Sequence, residues 1–345
     1  MSLKILKKAN SWEDFNKALI PLPNKAKGDA FELLTKLYFK IIPEYRHYDQ
    51  IWISNEVPIK VLNHLGLQKQ DLGIDLIAKS GDEYHAIQCK FKQDKNKSVT
   101  FKEVSTFLSL VSNTPGISHS YICSSCVSTS KNYDKVDPAN TSKILGDTFS
   151  KLDKNFFDKV RAVLDNKKIE EKGFTPKQHQ KDAIAKAYKH FIKENNNRGK
   201  LIFPCGSGKS LTGFWIMEKF KVKSTLVAVP SLSLIKQTLE VYLREISAKN
   251  QKVKWLCICS DEGIGKGDDV VMYTKDLGVP CKTDPTYIKE WLKKNKDERI
   301  IIFTTYQSGR LLADISRQLK IVFDLGIYDE AHKTVGINET LFSYL

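Results

Sequence analysis

The chain has 345 residues, with 55 Lys+Arg against 40 Asp+Glu and a formal net charge of +15. That length suits about two domains, each with its own core, and a 41% hydrophobic, 10% aromatic composition excludes a disordered chain. No apolar run approaches the roughly 18 residues needed to span a bilayer, and Met1–Asn10 lacks the apolar core and cleavage site of a secretory signal. The expectation is a cytoplasmic protein with no membrane partner.

The basic excess is uneven: residues 1–165 carry a net +5 and the remainder +10. Lysine predominates, which suits attraction to a phosphate backbone more than bidentate reading of bases. Lysines decorating solvated faces would give the same total, so charge alone leaves both readings open. The seven cysteines are odd in number and scattered, so they form no disulfide framework. Cys123 and Cys126 make one C-x-x-C and Cys257 and Cys259 a C-x-C, with no second correctly spaced pair or His pair to complete a zinc site. They read as buried reduced thiols.

In chain order, Asp29–Ile42 has an amphipathic helical pattern with Phe31, Leu34, Leu37 and Tyr38 on one face. Gly73–Lys79 and Tyr84–Phe91 read as two strands of a hairpin, followed by a helix over Thr100–Val111 and a strand over His119–Cys123. The charged stretch Asp165–Gly173, without apolar periodicity, marks a seam between domains 1–165 and 166–345. Beyond it a helix (Lys177–Ile192) leads through the loop Glu194–Lys200 to a strand (Lys200–Phe203), a Gly-rich turn and a helix (Ser210–Phe220). Strand Ser224–Val229, helix Leu232–Ile246 and strands near Lys254–Cys259, Ile300–Thr304 and Leu325–Tyr328 complete the pattern. Alternating strands and helices predict a parallel, doubly wound sheet, so the fold class is α/β throughout.

The turn Pro204–Ser210 (PCGSGKS) follows one strand and opens a helix. Gly206, Ser207 and Gly208 would let backbone N–H groups close on phosphate oxygens at the helix N-terminus. Lys209 would reach the β- and γ-phosphates of ATP, and Ser210 would offer a hydroxyl to Mg²⁺. The first glycine of the usual motif is missing. Downstream, Asp329-Glu330-Ala331-His332 follows the apolar run LGIY. Asp329 at a strand end can hold a Mg²⁺ water shell, and Glu330 can polarise the attacking water. Together the two motifs predict nucleotide hydrolysis.

This half resembles superfamily 2 helicases and translocases, from Phe174 to about Leu345. The resemblance makes Phe174 and Gln178 of FTPKQHQ an adenine-reading pair, and gives AVPSLSLIKQ (Ala228–Gln237) and TTYQS (Thr304–Ser308) phosphate-contacting roles. Ordinary helix capping would also explain the last two. The family further implies a second RecA-like lobe, for which the 13 residues after His332 leave no room. That lobe is expected from C-terminal domains or further subunits, with hydrolysis and translocation weak or absent in this chain alone.

In the first half, Asp75 lies on one predicted hairpin strand, and Gln88 and Lys90 share a face of the other. Such a cluster holds Mg²⁺ on the carboxylate while lysine stabilises charge developing on phosphate. Glu32, on the preceding helix, adds a second carboxylate. The pattern GDAFE, GIDLIA, YHAIQCK resembles the Mrr-like branch of PD-(D/E)xK nucleases, over residues 25–165. Gln88 stands where the family usually has an acid, which makes metal affinity lean on Asp75 and Glu32.

A nuclease followed by a helicase resembles the front of type ISP restriction enzymes, and SDEGIG (Ser260–Gly265) and TDP (Thr283–Pro285) fit that branch. The resemblance implies a Mg²⁺-dependent endodeoxyribonuclease acting on double-stranded DNA, coupled to an ATP-driven translocase. The alternative is a degraded DNA- and ATP-binding module without cleavage or translocation.

Overall fold

The computed structural model describes residues 1–68, 73–136, 140–204, 206–261 and 272–331. Cys205, His332 and most of SDEGIG lie outside the described residues. The structure divides into two compact units, Met1–Glu170 with Gly278–Pro280, and Glu171–Leu277 with Cys281 onward. No helix among the described residues is long and apolar enough to cross a membrane.

The first unit comprises α1 (Ser2–Lys8), α2 (Trp12–Leu19), α3 (Asn24–Ile41), β1 (Gln50–Ile53), α4 (Ile59–Leu65), β2 (Leu76–Ser80), β3 (Glu83–Lys90) and β4 (Ser98–Val99). It continues with α5 (Phe101–Ser112), β5 (Ile117–Ser124), β6 (Ser128–Thr129), α6 (Lys131–Val136), β7 (Thr141–Ile144), α7 (Gly146–Phe149) and α8 (Lys154–Leu164). Five strands form one mixed sheet in the order β1-β2-β3-β5-β7. β1, β2 and β3 run antiparallel, and β5 and β7 join β3 in parallel. The hairpin predicted from alternation is β2–β3. The predicted helices shift only at their ends. α3 begins at Asn24, straight after Pro23, a residue preset for a helix start. Thr100 is the cap of α5 rather than its first residue, exchanging bonds with Glu103.

Helices cover both faces of this sheet. On one, Phe31, Leu34 and Tyr38 of α3 are buried, with Phe31 edge-on to Phe149 (5.1 Å) and Phe39 edge-on to Tyr121 (5.0 Å). On the other, Val104, Phe107 and Leu108 of α5 pack with Ile77, Tyr84, Ala86 and Ile122. Full burial of each such side chain contributes roughly 1.5–3 kcal/mol, and the two layers leave the hairpin's pleat fixed from above and below.

The second unit comprises α9 (Gln178–Tyr188), α10 (Lys209–Phe220), β8 (Ser224–Val229), α11 (Leu232–Ala248), β9 (Lys254–Ile258), α12 (Pro285–Lys294), β10 (Ile300–Thr305), α13 (Tyr306–Leu319) and β11 (Leu325–Tyr328). Its four strands are all parallel, in the order β11-β8-β10-β9. Leu226, Leu256, Ile258, Ile300 and Ile302 pack on α12 and α13 from one side. Tyr242 of α11 meets Phe303 of β10 (5.8 Å) and Phe214 of α10 (5.4 Å) on the other. This is the doubly wound arrangement expected of a parallel sheet.

One expected element is missing: Lys200–Phe203 forms no strand, and Ile202 is 90% exposed. Pro204 closes this run without an N–H to give a ladder, and three apolar residues between Gly199 and Pro204 offer little to hold a strand in place. The helix before it also ends early as an α-helix at Tyr188 and finishes in a π-helical turn, Lys189–Lys193.

Candidate active sites

In the first unit the sheet register positions the nuclease candidates. Leu76 pairs with Ile87, and the Asp75 N–H donates to the Ile87 carbonyl at 3.0 Å, so the ladder runs on to Asp75 and sets it opposite Gln88. The Gln88 amide nitrogen donates to Asp75 Oδ2 at 2.5 Å, and the Cys89 backbone N–H donates to the same oxygen at 2.5 Å. Gln88 is 3% exposed, whereas Lys90, two residues further along the same face, is half-buried. Gly73 has φ +94°, and a Cβ there would stand 3.7 Å from Gln88 Oε1 and from the Phe107 backbone. Only glycine adopts that backbone freely, so the chain turns sharply between α5 and Gln88 before entering β2.

Glu32 approaches from α3. Cys89 alternates with Gln88 and Lys90, so its side chain lies on the α3 side of the sheet. Burial pushes the Cys89 thiol above its ordinary range, and the charges of Asp75 and Glu32 add to the effect. Both carboxylates therefore lie within electrostatic reach of one thiol. The structure joins Asp75 directly to Gln88, with Lys90 on the same face in register, and Glu32 stands on α3.

In the second unit, the C-terminal ends of the parallel strands gather the motif residues, the position where such sheets bind ligands. Gly206 and Gly208 both have positive φ, +73° and +84°, and Gly208 precedes the first turn of α10. Lys209 Nζ forms an ion pair with Glu330, which itself sits at φ +54°. A left-handed backbone at a non-glycine residue costs about 1–3 kcal/mol and clusters at functional positions. Asp329 accepts the Glu330 N–H on Oδ1 at 2.9 Å, and its backbone carbonyl accepts the Tyr306 hydroxyl. Burial, with the nearby Asp329 charge, pushes the Tyr306 phenol well up. Ser210 lies in the first turn of α10.

The aromatic and amide of FTPKQHQ sit differently from the predicted pair. Phe174 is 53% exposed, with the Arg244 guanidinium 4.1 Å from its ring centroid. Gln178 is exposed and donates to Asp182 at 2.8 Å. Gln180, two residues on, is 4% exposed. It accepts the Lys177 N–H at 2.8 Å and donates to the Ser207 carbonyl at 3.1 Å. A Cβ on Gly208 would come within 2.6 Å of the Gln180 amide, so this glutamine is built against the glycine turn. Sequence spacing did not distinguish the two glutamines; the signal lies in burial. At the other two motifs Ser231 caps α11 and Thr305 caps α13, accepting N–H bonds from Leu234 and Ser308.

Comparison with known proteins follows the same division. Residues 41–168 match a family described as "Restriction endonuclease", and residues 173–341 match "Type III restriction enzyme, res subunit". The first part of the chain is thus similar to restriction-endonuclease domains and the second to restriction-enzyme helicase domains. Its fold is similar to that of a structure described as "ATP-dependent Type ISP restriction-modification enzyme LlaBIII bound to DNA", at TM-score 0.74 and 22% identity, over 96% of this chain and 21% of that one. A "Probable helicase" of African swine fever virus is 29% identical over 159 residues in the Malawi tick isolate, covering 46% of this chain and 16% of the viral protein. The Kenyan pig isolate's protein is 29% identical over 163 residues. The chain spans about a sixth of the length of the curated relatives it matches.

Proposed function

We propose that the chain is a Mg²⁺-dependent endonuclease of double-stranded DNA, over residues 1–165, fused to the ATP-binding lobe of a DNA translocase, over residues 166–345. One observation carries the nuclease reading: the antiparallel register sets the Asp75 carboxylate opposite Gln88, with Lys90 on the same face. The donors are hard oxygens, the carboxylates of Asp75 and Glu32 and the Gln88 amide oxygen, a set that suits Mg²⁺. The metal supplies an activated water and charge neutralisation when bound. Gln88 holds Asp75 in place by its amide N–H, and Lys90 presents a cation where charge gathers on the scissile phosphate.

In the second unit, Gly206, Ser207 and Gly208 supply backbone N–H groups at a helix N-terminus, which fits a polyphosphate. Lys209 binds the phosphates once released from Glu330. Ser210 and Asp329 are the oxygen donors for the accompanying Mg²⁺, and Glu330 orients the attacking water. Phe174 offers its open face to the adenine. Gln180, rather than Gln178, takes the base-sensing position, because it links the segment carrying Phe174 to the glycine turn.

The test is plasmid cleavage in Mg²⁺. Lys90→Ala should lower cleavage at least ~100-fold, the scale on which one preorganised charge-stabilising donor acts, while circular dichroism and thermal midpoint stay unchanged. Nicking at the wild-type rate by Lys90→Ala would remove the assignment. A second reading, an inert DNA- and ATP-binding module, draws on the two N–H bonds that already engage Asp75 Oδ2. Mg²⁺-dependent nicking by the wild-type chain excludes it.

A further inference from the structure

Three cysteines of the second unit converge at the outer edge of its sheet. Cys257 and Cys259 lie at the end of edge strand β9, and Cys281 arrives from 22 residues downstream. The Sγ atoms are 3.5 Å (Cys257–Cys259), 3.0 Å (Cys259–Cys281) and 3.9 Å (Cys257–Cys281) apart. Residues two apart in an extended strand share a face but stand about 6.6 Å apart along it. The 3.5 Å approach therefore depends on the chain leaving the pleat after Ile258, where β9 ends. Cys281 is fixed from the other side by a parallel bridge to Cys257, extended by the Lys282 N–H donating to the Cys257 carbonyl at 3.0 Å. Backbone geometry, not chance packing, brings the three sulfurs to one point.

Buried thiols are weak donors and weak acceptors, so three of them facing one another gain little as a hydrogen-bonded group. A metal ion changes that balance. Zinc binds thiolate sulfur at about 2.3 Å with tetrahedral geometry, which sets the sulfurs about 3.8 Å apart. Two of the three separations lie within a few tenths of an ångström of that value, and the third opens by less than 1 Å. A disulfide needs one pair to close to about 2.05 Å and leaves the third thiol unexplained. Asp261, two residues past Cys259, already accepts the Thr274 N–H at 2.6 Å and its hydroxyl at 3.0 Å, and among the described residues no fourth His, Cys, Asp or Glu joins the three sulfurs.

We propose that Cys257, Cys259 and Cys281 bind a zinc ion that clamps the segment carrying Cys281 to the edge of the helicase domain's sheet. This site is separate from the nucleotide-binding residues and stands whether or not the chain hydrolyses ATP. Sequence spacing alone gives no sign of such a site, because Cys281 falls outside any short pattern with Cys257 and Cys259.

The test is the metal content of the full chain, purified under reductant without chelator. About one zinc per chain is expected, falling to near zero in Cys259→Ser/Cys281→Ser and unchanged in the control Cys126→Ser, whose thiol is buried in the other unit. Because the double variant can lose its fold, cobalt exchange into the wild-type chain gives a second readout: an ultraviolet thiolate-to-metal band with the intensity of three sulfurs. Absence of zinc together with absence of that band would overturn the proposal. Zinc retained by a folded Cys259→Ser/Cys281→Ser variant would overturn it too, as would a Cys259–Cys281 disulfide found by mass spectrometry in the reduced-purified chain.

Discussion

The two candidate sites are held in different ways. Asp75, Gln88 and Lys90 sit on strands whose ladder, packed between α3 and α5, fixes where each side chain points. The glycine turn of the second unit has no strand beneath it; Leu201 and Ile202 are exposed, and side chains anchor the turn instead. Gln180 holds it from α9, and Glu330 holds Lys209. A site made by sheet register is preorganised before any ligand arrives. One made by a loop and an ion pair has to exchange those anchors for the ligand.

The largest effect that can break this contrast comes from the Lys209–Glu330 pair. Lys209→Ala should weaken nucleotide binding by at least ~10-fold, since it deletes a cation aimed at the phosphates. Glu330→Gln should leave nucleotide binding intact or tighter, because it frees the lysine from its competitor. Fluorescent-nucleotide titration separates the two variants. Equal loss of binding in both would show that the pair is a structural strut rather than a lock the nucleotide opens.

Much of the first site was readable from alternation and spacing, because register turns sequence distance directly into proximity. The turn between β2 and β3 is short, so a 13-residue gap brings Asp75 back to Gln88. Strands β8 and β11 also fall on the predicted residues, Ser224–Val229 and Leu325–Tyr328, as continuous apolar runs of a parallel sheet do. What could not be read is what depends on neighbours far along the chain. The run Lys200–Phe203 has strand composition but lacks a partner among the described residues, and Cys281 meets Cys257 only through the fold. Gln178 and Gln180 are chemically identical, and only their place on α9, one facing solvent and one facing the turn, tells them apart.

That pair gives the intermediate test. Gln180→Ala removes a buried group with partners at Lys177 and Ser207, and leaving such partners unpaired costs about 1–3 kcal/mol. We expect roughly tenfold weaker ATP binding, since 1.4 kcal/mol is a factor of ten. Gln178→Ala should stay within about twofold, its bond to Asp182 being exposed and local. Reversal of that order would return the base-sensing role to Gln178 and weaken the view that the turn is anchored from α9.

The smallest effect concerns what keeps the loop's own helix in place. At the far end of α10, Glu218 accepts bonds from Lys249 (2.8 Å), Gln251 (2.9 Å) and Arg299 (2.5 Å), which tie the helix to the end of α11 and the start of β10. Burial alone would raise this carboxyl, but the bonds from Lys249, Arg299 and Gln251 outweigh it and hold the group below its ordinary value of 4.5. A depressed folded value means that the stabilisation is fully present above pH 4.5 and fades as pH falls through the lower folded value, where the folded state must also take up the proton. The thermal midpoint of the wild-type chain should therefore drop more steeply below pH 4.5 than that of Glu218→Gln, which starts lower at neutral pH and has no such proton to bind. Parallel slopes for the two chains would mean that α10, and the glycine turn it carries, is held by its apolar face alone. In that case the side-chain anchoring argued for the second site would be confined to Gln180 and Glu330.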